Sequence, residues 1–419
     1  MKKRVILACL TPVFVAAVLG LGNLIAPFRP LSLNDILLSW LISPGHFFVP
    51  DLAAEEPQDS QELVTNPELN RLYGRPRHFA LKKMAGTFRI FCIGGSTTLG
   101  WPFQDILSYP DFLNLELKDV LPTRRVEVIN AGFGNMDSSS DIPLIKELLR
   151  YDPNLILIYE GRNELQNFAL HSGWRAELLI PHLWLLRHVS LYRWLRYRLW
   201  LDTKFTLAAS IRRWADQGLD PDSKNQAQRR MLKNLSAMIK LARQVHCPIM
   251  FITQVRDHND PSENWLKNYN RSIRRLAVAQ NIPIIDAAHA FDAYHGGGLG
   301  PIFLHRLWHP DVGGYFLISQ TVLHALARAV ELAPAKDWRW SRERSELAYI
   351  QELSVSPEAL ATDYTAISKF CVTIEKSFPF WKQDYQRMAL QYTALAGRLR
   401  SEGWAAMSPR LRFRNDVPQ

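Results

Sequence analysis

Three short apolar runs each stop at a glycine-bearing turn, and this repeated stop is what most narrows the folds open to the chain. The first is Phe88-Arg-Ile-Phe-Cys-Ile-Gly-Gly-Ser-Thr-Thr-Leu-Gly100, the second Val126-Glu-Val-Ile-Asn-Ala-Gly-Phe-Gly134, and the third Leu155-Ile-Leu-Ile-Tyr-Glu-Gly-Arg-Asn-Glu164. Runs this short, separated by stretches of helical pattern, read as parallel strands with helices packed on them. Strands are expected near 88–93, 126–130, 154–159, 247–253 and 282–286, and a helix over Asn264–Gln280 with Tyr269, Ile273 and Leu276 on one face. Together they predict an α/β fold with a doubly wound, five-stranded parallel sheet.

Such sheets gather ligands outside the carboxyl ends of their strands, so the side chains just past each stop are the candidates for chemistry. Ser96 comes directly after the first stop, and the glycines before it let the backbone turn and bring N–H groups near its oxygen. A Gly-Gly-Ser-Thr turn taken alone is more often a plain loop. Its weight comes from three downstream segments in a fixed order: Asn130 and Gly132 at the second stop, Gly161-Arg-Asn163 at the third, and Trp308-His-Pro-Asp-Val-Gly-Gly-Tyr315 much later, with His309 just before a helical stretch.

These four blocks, in this order and strand context, resemble the SGNH (GDSL-like) hydrolases over about residues 86–333. The resemblance implies a flavodoxin-like SGNH fold, with Ser96 as nucleophile, His309 as general base, Asn163 as an oxyanion side chain, and neither cofactor nor metal. The residue types suit those roles. A serine hydroxyl is a weak nucleophile until a base takes its proton, histidine titrates in the right range, and an amide N–H stabilises a developing oxyanion. The family's second oxyanion donor, five residues after the asparagine, falls on Asn135 here, with Gly134 one short, so the Gly134–Asn135 turn is the implied donor. Many relatives carry an aspartate three residues before the histidine, and this chain has Arg306 there. Arginine only donates, and its charge disfavours an imidazolium. His309 is therefore expected to be oriented by a backbone carbonyl or by a carboxylate from elsewhere. Asp292, on the stretch 291–300, is the nearest carboxylate candidate, though its plainer reading is a solvent-exposed loop residue.

The implied function is a serine ester hydrolase acting through an acyl-enzyme on an acylated glycan or a short-chain ester. The same residues could pass an acyl group to a sugar hydroxyl, as an O-acyltransferase does. Arg306 also leaves open a catalytically impaired glycan-binding protein or scaffold of a membrane complex.

The flanks give the expected organisation. Lys2-Lys-Arg4 precedes an apolar run from Val5 to Phe28, and about 20 apolar residues suffice to span a bilayer. The basic flank places the amino terminus in the cytoplasm and the rest outside it. A cleaved signal peptide competes, but the run ends without a small-x-small site and Pro27 directly succeeds Ala26. Residues 1–28 are therefore expected to be an uncleaved, single-pass anchor in the cell inner membrane, touching lipid, with the catalytic part periplasmic. Residues 29–87 read as a linker, 88–333 as the hydrolase domain with a helical insertion at 166–244, and 334–419 as a helical extension whose protein partner is open. Within the insertion, Leu183–Trp200 interleaves arginines with Trp, Tyr and Leu. That pattern suits a membrane interface or a lid helix, and the lid is favoured because the arginines do not gather on one face.

Composition excludes other classes. The net charge of +10 is spread over this segment and the termini, so it asks for no nucleic acid. The four cysteines, Cys9, Cys92, Cys247 and Cys371, form neither a disulfide framework nor a zinc pattern, and Cys92 and Cys247 fall within expected strands as small core residues.

Overall fold

The computed structural model of the chain describes residues 33–42, 44–51, 61–73, 75–103, 106–168, 173–198, 221–257, 263–294, 303–304, 307–330, 332–376 and 381–407. Among them no helix is long and apolar enough to cross a membrane. The anchor expected at 1–28 lies outside the described residues.

The stretch 29–87, expected to be a linker, is folded where it is described. It holds α1 (Leu33–Ile42), β1 (Phe48–Pro50), β2 (Glu62–Thr65), α2 (Pro67–Tyr73) and β3 (His78–Ala80). The three strands pair antiparallel in the order β1-β2-β3. Leu63, Phe48 and Phe79 point inward, and Phe79 meets Phe91 of the main sheet with ring centroids 5.4 Å apart. The N–H groups of Phe47 and Phe48 are taken up by the buried Glu147 carboxylate at 2.9 and 2.8 Å. Strands of three and four residues leave almost no periodicity to read, and these are held by docking on the sheet rather than by their own pattern.

Downstream, β4 (Phe88–Gly94), β5 (Val126–Gly132), β6 (Leu155–Tyr159), β7 (Ile249–Ile252) and β8 (Ile284–Ile285) form the expected parallel sheet. Its order is β5-β4-β6-β7-β8. The chain steps one way from β4 to β5 and then back across β4 to β6, so the winding reverses at the carboxyl ends of β4 and β6. A crevice opens at such a reversal, and Ser96 and Asn163 stand just beyond those two strands.

Alternation along the strands sends side chains to opposite faces. Ile90, Cys92, Leu155 and Leu157 belong to one buried cluster, and Phe91, Ile93, Ile156 and Ile158 to the other. The helices, in chain order, are α3 (Ser96–Leu99), α4 (Tyr109–Val120), α5 (Ser138–Leu148), α6 (Asn163–Gln166), α7 (Gly173–His188), α8 (Ser190–Arg198), α9 (Pro221–Gln244), α10 (Trp265–Gln280), α11 (Ala287–Ala293) and α12 (Val312–Ala329). A two-stranded antiparallel pair, β9 (Phe303–Leu304) and β10 (His309–Pro310), precedes α12. On one face α5, α9 and α10 join the amino-terminal sheet, and on the other lie α4 and α12.

The expected insertion is helical where described. Leu183 and Leu186 of α7 share a cluster with Ile36 and Trp40 of α1, and Arg187 reaches Glu68 of α2 at 3.0 Å. Within the insertion α7 thus packs on the amino-terminal segment and α9 on α5, where Asn234 reaches Ser138 at 3.0 Å, while 199–220 lie outside the described residues.

Beyond residue 334 come α13 (Glu346–Glu352), α14 (Pro357–Ile374) and α15 (Lys382–Glu402). Tyr349, Leu360, Tyr364, Ile367 and Leu395 belong to the same buried cluster as α4 and α12. Tyr364 of α14 stacks on Tyr392 of α15, with centroids 5.6 Å apart and planes 9° off parallel.

Candidate active site

β4 ends at Gly94 and the chain must turn within two residues to start α3 at Ser96. Gly94 adopts φ +152°, and a Cβ there would lie 2.4 Å from Thr98 Oγ1 and 2.6 Å from the carbonyl oxygen of Tyr159. Gly132, on the adjacent β5, lets α3 lie directly against the sheet: a Cβ would come within 2.5 Å of the Leu99 nitrogen. Only glycine gives both the turn and the close approach, and their product is a serine hydroxyl raised above the sheet end.

His309 arrives from the far end of the chain, on β10. Asp311 caps α12 by accepting from the Val312 N–H at 2.8 Å, and accepts a buried hydrogen bond from Tyr364 Oη at 2.7 Å, so the histidine sits on a braced turn. Its Nε2 lies 2.6 Å from Ser96 Oγ and its Nδ1 2.5 Å from the Leu307 carbonyl oxygen. A carbonyl can only accept, so the proton is on Nδ1 and Nε2 is the base facing the serine hydroxyl.

Burial pushes the imidazole down to about 3; the Leu307 carbonyl opposes the shift and the nearby Arg162 guanidinium adds to it. The pair is therefore a neutral serine–histidine dyad at rest, and an imidazolium at this position would have a dipole rather than a carboxylate beside it. Asp292, the candidate substitute acid, is instead 3.5 Å from Arg256 Nη2 at the end of α11, and both His309 nitrogens are already engaged. Arg306 lies outside the described residues.

The other candidates converge on the same turn. Asn163, first residue of α6, is buried and donates from Nδ2 to the Met136 carbonyl at 2.6 Å. That nitrogen also lies 2.6 Å from where a Gly95 Cβ would stand, beside the residue before Ser96. A carboxamide nitrogen carries two hydrogens, and one of them remains for a ligand. The Phe133 N–H donates to the Gly94 carbonyl at 3.0 Å, so the turn bearing Gly134 and Asn135 is bonded to the serine turn. Asn135 is left-handed, at φ +62°, and its carbonyl accepts from Asn167 Nδ2 at 2.6 Å. Ser96, His309, Asn163 and the 133–136 turn thus meet at one point above the sheet reversal.

The GDSL-like lipase/acylhydrolase family matches residues 92–316, more than half of the chain and all four of these elements. The chain belongs to this family. As a GDSL-like acylhydrolase it is a carboxylic ester hydrolase. Its fold is similar to that of an acetylxylan esterase from Geobacillus stearothermophilus, at 16% identity over 59% of this chain and 97% of that one, with a TM-score of 0.39. A member of the lipolytic G-D-S-L family from Veillonella parvula is similar at 16% identity over 57% and 99%, with a TM-score of 0.38. No curated protein matches the chain in sequence.

Behind Asn163 this acylhydrolase buries four carboxylates, Asp137, Asp141, Glu160 and Glu164. Asp137 accepts from the Ser139 and Ser140 N–H groups at the start of α5, Glu164 accepts from the Ser138 N–H at 2.8 Å, and Arg230 of α9 lies 3.5 Å from Asp137 and 3.6 Å from Glu164. Burial raises Asp141 to about 7 and Glu164 to about 8, and it holds Glu160, beside Asp141, well above the usual carboxylate range. Burial and the neighbouring carboxylates thus disfavour the charged forms of both Asp141 and Glu160. The cluster ties the turn after β5 to the turn after β6.

Among the described residues one group could hold a cation, Asp51, Glu62 and His78 on the outer face of the β1–β3 sheet, where His78 Nδ1 lies 3.2 Å from Asp51 and 3.8 Å from Glu62. Sequence reasoning missed two groups at the site itself, Arg162 and Trp101, whose ring centroid lies 4.5 Å from that of His309, and it offered a backbone carbonyl only as one of two ways to orient the histidine, without saying which residue's. Trp101 stands five residues after Ser96 and Arg162 just before Asn163, so proximity to a motif was a signal for both. A backbone carbonyl has no signature in a sequence.

Proposed function

We propose that the chain is an extracytoplasmic serine esterase that works through an acyl-enzyme and removes a short acyl group from a glycan or a similar small ester. The observation that carries the mechanism is the Ser96 Oγ to His309 Nε2 approach of 2.6 Å, with Nδ1 held by Leu307. Ser96 Oγ attacks the ester carbonyl carbon as its proton passes to Nε2. The new oxyanion takes hydrogen bonds from the Ser96 N–H, the 134–135 turn and the free Asn163 N–H. The tetrahedral adduct collapses, the C–O bond to the alcohol breaks, and Nε2 returns the proton to the leaving oxygen. Water, deprotonated by the same nitrogen, then attacks the acyl-serine and releases the acid, restoring Ser96. Export is supported by Lys2-Lys-Arg4 ahead of the apolar run to Phe28, which would fix the enzyme to the inner membrane with its site in the periplasm.

Two readouts test this reading. A fluorophosphonate probe should label the wild type, and Ser96→Ala should lose both labelling and para-nitrophenyl acetate hydrolysis at unchanged Tm. Labelling that survives Ser96→Ala would remove the nucleophile. A phosphatase reporter fused after residue 32 should be active outside the cytoplasm and stay with membranes through a carbonate wash. An inactive fusion refutes export, and release by the wash refutes the anchor.

A further inference from the structure

The family match ends at Phe316, yet aromatic side chains from well beyond it reach the site. Trp101 stands between His309 and Phe370 of α14, its ring centroid 4.5 Å from the first and 5.5 Å from the second. Phe370 is 39% exposed, although its helix neighbours Ile367 and Cys371 are buried in the core. Trp308, next to His309 in sequence, meets Trp381, just before α15, at 5.9 Å. Trp101, Trp308 and Trp381 are all only partly buried.

Position decides which part of an ester meets these rings. His309 returns its proton to the leaving oxygen, so that oxygen must come within hydrogen-bond reach of Nε2. The rest of the alcohol then extends past the imidazole toward Trp101 and Phe370. The acyl carbonyl, by contrast, lies toward Asn163 and the 133–136 turn. The aromatic wall therefore serves the alcohol. Trp101 and Phe370 meet at 74°, and each keeps part of its surface open to solvent. A rigid ring with a C–H face and hydroxyls around its rim fits such a surface, laying apolar C–H groups on the rings and leaving the hydroxyls in water.

We propose that Trp101 and Phe370 form the leaving-group subsite, that it takes a pyranose ring, and that Phe370 on the carboxy-terminal helices determines specificity. This rests on the serine-esterase reading, and it makes α14 part of the substrate site.

The test separates the two. In the full-length Ser96→Ala protein, which does not turn over, a methyl O-acetylpyranoside is titrated by tryptophan fluorescence and calorimetry, with hexyl acetate in parallel. The pyranoside should bind more tightly than hexyl acetate. Adding Phe370→Ala, or Phe370→Leu if the alanine variant folds poorly, should weaken it about five- to tenfold, and Phe370→Tyr should retain it. In the active enzyme the ratio of kcat/KM for the pyranoside to that for methyl acetate should fall by the same factor, and Phe370→Tyr should restore it. Undiminished binding in both ring-less variants, an unchanged ratio, or a preference for hexyl acetate overturns the subsite. Absence of turnover on every ester, with pyranoside binding that still depends on Phe370, overturns the esterase reading and leaves the subsite standing.

Discussion

At the scale of single residues the site is a dyad whose missing acid is replaced by a main-chain oxygen. In a serine hydrolase the acid fixes the histidine tautomer and supports its positive form, and losing it costs about ten-thousandfold when the tautomer is lost as well. Here the Leu307 carbonyl keeps the tautomer, so only the charge support is forgone. Asp292→Asn should consequently leave kcat/KM within about twofold, whereas His309→Ala should cut it by about a thousandfold or more. The depressed proton affinity of His309 keeps its basic form present as pH falls, so the acid limb of kcat/KM should lie below about pH 5 rather than near 6.5. An acid limb near 6.5, or a large loss in Asp292→Asn, would return the site to a triad. Ser96, Asn163, His309 and the 134–135 turn were legible because each ends a strand or opens a helix with a recognisable residue type. The orienting group was legible only as a pair of alternatives, since any residue's carbonyl could have supplied it.

At the scale of elements, the five strands lie within one or two residues of where hydrophobic runs and glycines put them, because a strand buried on both faces writes itself as a continuous apolar run. The β1–β3 sheet does not write itself this way, and residues 29–87 read as a linker for that reason. The spacing between elements carries its own demand. α3 presses so closely on β5 that a Cβ on Gly132 would meet the Leu99 nitrogen at 2.5 Å and the Thr98 carbonyl carbon at 2.7 Å, and neither backbone atom can yield without moving Ser96. Gly132→Ala should cost about 1–3 kcal/mol and lower turnover in the surviving native fraction. Thermal melts and single-turnover acylation check this together. Normal acylation at a normal Tm would show that the helix has slack the packing denies.

At the scale of the whole molecule, buried acids set how stability responds to pH. Glu116, under α12 and bonded to Ser319, is raised by burial to about 8, alongside Glu164 at about 8 and Asp141 at about 7. Each keeps a proton in the fold that the unfolded chain has already released, so the native state binds more protons through this window and stability falls as pH rises. His309, held low, works in the opposite sense only below about pH 6.5. Tm should be lower at pH 8.5 than at 6.5, and Glu116→Gln should narrow the difference. A drop that Glu116→Gln leaves untouched would place the responsible groups elsewhere. The helical character of residues 334–407 was legible from their apolar spacing, but which face of the sheet those helices cover was not, since spacing specifies a buried stripe and not its partner. The family's own segment begins inside β4 and ends inside α12, with β1–β3 closing one side and α13–α15 closing the other. Removing either flank would bare the apolar side chains it now covers, Phe91 of β4 where Phe79 packs and Phe316 of α12 where Tyr349 packs. A chain shortened at either end should therefore melt at a lower temperature than the whole protein.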